Sequence, residues 1–564
     1  MRRASVQVIV ATAVALSAPA VAAAANTPLA GTVVELSTPI RDAEHPRIVV
    51  AADGTATAVW EEHRDGTAVV QAATRPSGGA FGLPVQLSVP SPVNPLAPQS
   101  DSHPEVAVSP DGTTFAVWQQ TLIAGSGVQV TTRPPGGSFG PPVTISVPAT
   151  AAYSPALAVG QDGTAVVTWS AYVANAVHVQ SSTRPSGGVF AAAVDVIPSG
   201  QIVGATATAV GPDGTTTIAW QTDTSRVQTA TRPARGIFGP AIDLASSTGT
   251  RTDTGPSIAA GLDGTTAVVW SEDTGSEFVT RFASRAAGGS FGAPEPVSPV
   301  GQDARSPRIA LAQNGSTIVV WMGLDGSDRV VVAARKSAGG TFASPVALSA
   351  PGASAFDAQV RAAWDGAETV VWSRYDGANV VAQGRTLMPG GELTSLRDLS
   401  AVGRNADSPQ IAVAPDGTAT ALWSRFNGSK WVVQAVGPGN PTQRAAEPAN
   451  AGAASPATPV TQVVRTPEPN VQATSGLARP SLVGQPKIVG TYRVGRTLRC
   501  ATGEFTGASR VTVYWRRDGR KIRAASGSHY RLRAADRGRI VTCKVDASSS
   551  AGHTTVASIG VVPR

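Results

Sequence analysis

Cysteine is nearly absent from this chain, with two in 564 residues, too few for a disulfide-built scaffold. Six histidines leave little material for a metal centre. Only 15% of the residues are charged while 42% are apolar, so disorder throughout is excluded and enough apolar matter for a core is present. Long helices and coiled coils are excluded in turn. The 59 glycines and 43 prolines interrupt the chain at the density of many short strands, and helices of useful length do not tolerate them. Long apolar runs are missing too, except for one at the N-terminus.

That run follows Arg2 and Arg3, extends from Val8 to Ala25 and ends in small residues, the pattern of a secretory signal cleaved after Ala25. Ser17 and Pro19 break it just before the cleavage box, which argues against a membrane anchor. The sequence therefore predicts a signal peptide over 1–25. It also predicts a mature protein that is secreted or held at the cell surface, has no transmembrane anchor, and works where a disulfide persists.

What the chain has in abundance is one motif. Asp-Gly, once Asn-Gly, is followed seven residues after its first position by tryptophan. The pairs are Asp53/Trp60, Asp111/Trp118, Asp162/Trp169, Asp213/Trp220, Asp263/Trp270, Asn314/Trp321, Asp365/Trp372 and Asp416/Trp423. Successive tryptophans stand 58, 51, 51, 50, 51, 51 and 51 residues apart, a period that signals a solenoid, an array or a propeller. Within the first copy the punctuation gives four strands: Pro46–Ala51, Thr55–Glu61 after an Asp-Gly hairpin turn, Ala68–Thr74, and Pro84–Ser88 after a Gly-Gly loop. These strands are apolar on both parities, as strands covered on both faces are. Four-stranded blades packed around a channel meet that condition.

The ends of the array choose between an open and a closed form. The eighth copy stops after its third strand, Trp431–Val436, with nothing like PVQLS behind it, whereas VVELS (Val33–Ser37) stands orphaned before the first copy. An open solenoid has no use for that arrangement, but a ring does, because pairing the two ends in one blade removes the exposed edge. The expectation is an all-β, eight-bladed β-propeller over 30–437 with terminal strand closure.

DGTATAVW is similar to the Asp box of sialidase-like propellers. Here, however, Asp and Gly adjoin and tryptophan lies beyond the threonine, so that box does not transfer residue by residue. Asp-Gly is read as the turn and tryptophan as the filling between blades. Arg75, Arg133, Arg184, Arg232, Arg285, Arg335 and Arg385, recurring at the end of the third strand, are read as seven equivalent scaffold positions.

A single site on a ring must break its symmetry. The turns between first and second strands and the loops between third and fourth repeat, while the other loops differ in every copy, so a ligand is expected on the variable face. The candidate ligand-binding residues there are Asp42, His45, Glu61, Glu62, His63, Asp101, His103, Arg374 and Tyr375. Histidine with carboxylates suits a divalent ion, but the spacing matches no metal motif, and no metal or cofactor is expected. No catalytic motif is present. Paired carboxylates on this face leave a glycan-acting hydrolase or lyase as the alternative to a non-enzymatic binding or adhesion protein.

Residues 438–479 are rich in Pro, Ala, Gly and Thr and read as a linker. Residues 480–564 show alternating strands with Cys500, Trp515 and Cys543, in the order of an immunoglobulin-type β-sandwich. Through VGRTLRC, YWRRDG and the D-x-G-x-x-x-x-C run from Asp536, this segment resembles the Ig-like modules appended to exported actinobacterial surface proteins. The resemblance implies a Cys500–Cys543 disulfide packed on Trp515 and a display or adhesion role. At Val541 the tyrosine of the tyrosine corner is absent.

Residues 474–564 carry seventeen basic against four acidic residues, a balance of +13, while 26–473 carry −8. Such a basic module attracts anionic polymers. The expected partner is a polysaccharide or an anionic cell-envelope polymer, not nucleic acid, for which aromatic–basic interleaving is lacking. A monomer is expected.

Overall fold

The computed structural model describes most of residues 29–438 and of 481–557. The gaps in the first span are 65–66, 89–100, 123–124, 148–150, 174–175, 198–205, 223–225 and 246–254. The signal at 1–25 and the linker beyond residue 438 lie outside the described residues. The chain divides into two units at 447/448.

The first unit consists of eight antiparallel four-stranded sheets. Blade one is Ala43–Val50, Ala56–Arg64, Thr67–Arg75 and Val85–Gln86, each strand pairing with the next. The first strands touch in a circle. Ala43–Val50 meets Asp101–Val108, contacts continue blade by blade, and Ala406–Val413 returns to Ala43–Val50. The protein is an eight-bladed β-propeller, with a central channel cavity of about 370 Å³ walled by these first strands.

The ring closes as the orphan strand requires. Val34–Glu35 is the fourth strand of blade eight, with Val34 opposite Ala435 and Glu35 opposite Gln434. Beyond the ladder, the Leu36 N–H donates to the Val433 carbonyl at 2.8 Å, and the Val433 N–H donates to Ser37 Oγ at 2.9 Å. Ser88, Ser146, Ser298, Ser349 and Ser400 each accept from the residue eighteen positions earlier in their own blades. Ser37 makes the same bond across 396 positions.

Each tryptophan fills the wedge between its blade and the preceding one. Trp60 is fully buried with Leu422 and Val433 of blade eight, and Trp118 is buried with Val59 and Val70 of blade one. A glutamine faces the tryptophan across the hairpin in six blades, for example Gln180 opposite Trp169, whose indole N–H donates to it at 3.1 Å. Arginine supplies a second tie. Arg75 donates to Thr420 of blade eight, Arg133 to Thr57 of blade one, Arg285 to Thr217 of blade four, and these guanidiniums also lie over Phe81, Phe139 and Phe291.

Two of the seven arginines are not equivalent to the rest. The cross-strand position of Arg75, Arg133, Arg184, Arg232 and Arg285 is held by Lys336 in blade six and Leu387 in blade seven. Arg335 stands one residue earlier. Because strand side chains alternate, it faces the next blade, ion-pairing with the fully buried Glu368 and donating to the carbonyls of Leu387, Met388 and Pro389. Lys336 takes the vacated place, over Phe282 and Phe342.

The second unit has a three-stranded sheet (Lys487–Val489, Thr497–Ala501, His529–Arg531) and a four-stranded one (Arg520–Ser526, Arg510–Arg517, Val541–Ser549, Gly552–Ala557). The Cys500–Cys543 disulfide joins them. Trp515, fully buried, sits opposite Cys543 and stacks on Tyr530 at 5.4 Å. Asp536 is buried too, holding Arg517 at 2.6 Å and accepting the Tyr530 hydroxyl at 2.9 Å. The structure shows this two-sheet core; the immunoglobulin kinship rests on the sequence resemblance alone.

Deleting residues 29–40 removes the closing strand and exposes the pockets of Leu29 and Leu36, both buried. Two leucines contribute about 3–6 kcal/mol between them, and the whole ring should lose that much stability in denaturant melts. A truncated protein that unfolds at the parent midpoint would refute closure by this strand.

Candidate binding face and central channel

The repeated turns are self-contained. Asp53 accepts from the Thr55 N–H at 2.8 Å and from its hydroxyl at 3.0 Å. The same pair recurs at Asp162/Thr164, Asp213/Thr215, Asp263/Thr265 and Asp416/Thr418. Gly54 holds φ at +85°, and a Cβ there would meet Ser77 Oγ at 2.7 Å, so turn and Gly-Gly loop pack together on one face. A groove of about 670 Å³ on that face, between blades three and four, is walled by such groups: Asp162, Asp213 and Arg232. All three are engaged by their neighbours.

The other face gathers the variable loops, where the His63 N–H donates to the Asp42 carbonyl. Much of their polarity turns out to be latching. Asp42 Oδ1 accepts from the Trp431 N–H at 3.0 Å and Asp42 Oδ2 from Lys430 at 2.7 Å, tying blade one to blade eight. Asn405 accepts likewise from Val380, Asp303 from Phe278, and Ser354 from Arg329, each in the preceding blade. Burial opposes the charge of Asp303, but Arg305 and Arg329 outweigh it and bring its pKa to about 2. Glu62, buried, is held by Arg64, Thr38 and Arg41 at 2.7–3.1 Å. Asp101 is also buried, and desolvation raises its pKa to about 6 against a bond from Ser88. Arg374 and Tyr375 lie in blade seven, the Tyr375 hydroxyl capping Gly377.

Three of the sequence candidates do come together at the channel mouth. Glu61, 3% exposed, accepts from the His103 N–H at 2.5 Å and faces His45 Nδ1 at 3.3 Å, while the His45 and His103 rings stack at 6.1 Å. His63 stands 3.9 Å from Glu44. Glu61 and Glu62, adjacent in a strand, point to opposite faces of the blade and form no catalytic pair. Among the described residues no three His, Cys, Asp or Glu side chains form a group able to hold a metal ion.

His45 and His103 are left-handed, at φ +50° and +54°, and so are Ser154, Ser306, Asp357 and Ser408 at the same repeat position. Each lies in a bulge of a first strand. The strand of blade one therefore starts at Ala43 instead of Pro46, extended by the bulge. Left-handed residues cost energy in non-glycine positions, and bulges re-aim the side chains beyond them. In this ring the re-aimed side chains stand at the channel mouth.

The side chains at the mouth carry the asymmetry. Six residues before the turn Asp or Asn, the eight copies read Arg47, Glu105, Ala156, Ala207, Ser257, Arg308, Gln359 and Gln410: charged or amide-bearing in blades six to eight, one and two, small in three to five. Two residues deeper, seven copies have valine or alanine and blade seven has Arg361, which lines the cavity. Arg47 pairs with Glu105 at 3.0 Å. Sequence reading in terms of loops missed this set, because it lies inside strands that otherwise repeat; comparing the copies column by column exposes it.

No family model and no curated protein matches the chain. Among solved structures, the BP39L lectin from Burkholderia pseudomallei is similar at 14% identity and a TM-score of 0.43, over 64% of this chain and all of that one. A prolyl endopeptidase structure is similar at 11% and 0.42, over 69% of this chain and 55% of that one. A family PL25 ulvan lyase bound to an oligosaccharide matches at 9% and 0.40, over 72% and 96%. Likeness at this level is one of architecture alone.

The His45–Glu61 contact sets a titration. The hydrogen bond that His45 donates to the Glu61 carboxylate raises the His45 pKa above 6.5, and Glu61, despite burial, is held below 4.5 by His45 and the His103 N–H. The imidazolium contribution to stability is then full below pH 6.5 and lost as pH rises through the folded pKa. In an NMR titration His45 should sit above 6.5 and drop in Glu61→Gln. An unchanged His45 midpoint would show that the contact does not form.

Proposed function

We propose that this protein is an exported, non-enzymatic binding or adhesion protein whose propeller receives a polysaccharide chain at the channel mouth on its variable face, with the C-terminal unit serving as a display or envelope-associating module. One observation carries the reading. The polar groups of the ring lose their eightfold repetition at the mouth, where Arg47, Glu105, Arg308, Gln359 and Gln410 face a wall of Ala156, Ala207 and Ser257. Fixed donors and acceptors set against a small, smooth wall suit a chain that presents hydroxyl groups along its edges and C–H surface on its faces. The binding reading is supported over hydrolysis by the engaged state of Asp42, Glu61 and Glu62, each occupied by scaffold partners.

A glycan array paired with a reducing-sugar assay tests this. Binding without release of sugar ends is expected, with Gln359→Ala plus Gln410→Ala weakening the bound glycans about tenfold at unchanged thermal midpoint. Steady release of ends, abolished by Glu105→Gln or Glu61→Gln, would replace the binding reading with the enzymatic one.

A further inference from the structure

Arginine is the wrong residue for the depth at which Arg361 lies. Its seven counterparts are Val49 and six alanines, small apolar side chains at the waist of the channel. A single guanidinium in that waist breaks the repeat where nothing in the scaffold calls for it. It is not alone. Arg47 and Arg308, one level nearer the mouth, are close enough to repel it, and Arg47 repels Arg308 in turn.

The three are unequally compensated. Arg47 has Glu105 at 3.0 Å. Among the described residues Arg308 and Arg361 have no carboxylate in ion-pair contact; each donates to a neighbouring backbone carbonyl, Pro307 at 3.1 Å and Val360 at 2.9 Å. Asp357 and Glu105 act on them only from farther away. Desolvation accordingly depresses the pKa of both guanidiniums. Arg361 stays exposed to the channel and Arg308 half-buried, so neither charge is shut away from a ligand. A fork of N–H donors left open in a polar-mouthed channel matches the planar or tetrahedral oxygens of a carboxylate or sulfate.

We infer that Arg308 and Arg361, with Arg47 at the rim, form an anion subsite inside the channel that takes a carboxylate or sulfate group carried by the bound polysaccharide. This rests on the binding reading above and narrows it to acidic glycans. The ring as a whole carries negative charge, so the attraction is local, and selectivity comes from the guanidinium forks instead of the overall field. Depth adds a second selection. An anionic group must project from the chain far enough to pass the mouth, so a terminal or branching acidic sugar fits better than a uniformly buried one.

Isothermal titration of the full mature chain with three hexasaccharides of equal length, neutral, uronate and sulfated, separates the arms, with inorganic sulfate as a fourth ligand. At least one acidic oligosaccharide should bind about tenfold or more tighter than the neutral one, and its affinity should fall with salt. Uronate or sulfate preference then identifies the group. Arg361→Gln should abolish that preference while leaving neutral binding in place, Arg308→Gln should abolish the preference whatever it does to neutral binding, and both should keep the thermal midpoint at or above the parent value, since removal relieves a repulsion. Equal binding of neutral and acidic chains, or acidic preference untouched in both variants, overturns the subsite and leaves the binding function standing. Absence of binding by every oligosaccharide overturns both.

Discussion

Antiparallel pairing of Val34–Glu35 with Trp431–Val436 is the contact on which the rest depends. A propeller blade buries both faces only if it has neighbours on both sides, so a ring left open exposes two apolar sheets at once. Here closure is reinforced from several directions. Ser37 bonds Val433, Arg75 reaches Thr420, Asp42 caps Trp431, and Trp60 sits among Leu422 and Val433. Every one of these contacts has its counterpart elsewhere in the ring, the serine bond within single blades and the others between neighbouring ones. The two ends of the repeat array imitate an ordinary blade junction, and the ring closes.

The fold was largely legible because its determinants are periodic. Asp-Gly places a left-handed glycine at the turn, tryptophan seven residues on lands in the wedge, and the period gives the blade count. The errors arose where period and parity disagree. Arg335 looked like Arg285, yet a shift of one residue turns a strand side chain to the opposite blade, and Lys336 stands in the scaffold place. Strand starts were misplaced because a left-handed histidine before proline reads as a break, when it is a bulge.

The site was legible in its face more than in its residues. Asp42, Asn405, Asp303 and Ser354 differ in identity and so looked like variation, but they perform one backbone-capping task. Residues that vary in chemistry can therefore be scaffold, and Arg361, embedded in a strand of repeated valine and alanine, can be the departure that matters. What a channel lumen collects from eight separate strands is visible in a sequence only after the copies are stacked on the known geometry.

Deuterium exchange of the intact protein tests closure most directly, through the peptide spanning residues 29–40. The account predicts that its amides at the Val433 ladder are protected as strongly as those of the fourth strands around Leu87 and Leu348, which make the same backbone bonds within their own blades. Exchange of that peptide at the rate of an unstructured chain, with the eight tryptophan hairpins still protected, would contradict a ring tied by its own N-terminal strand.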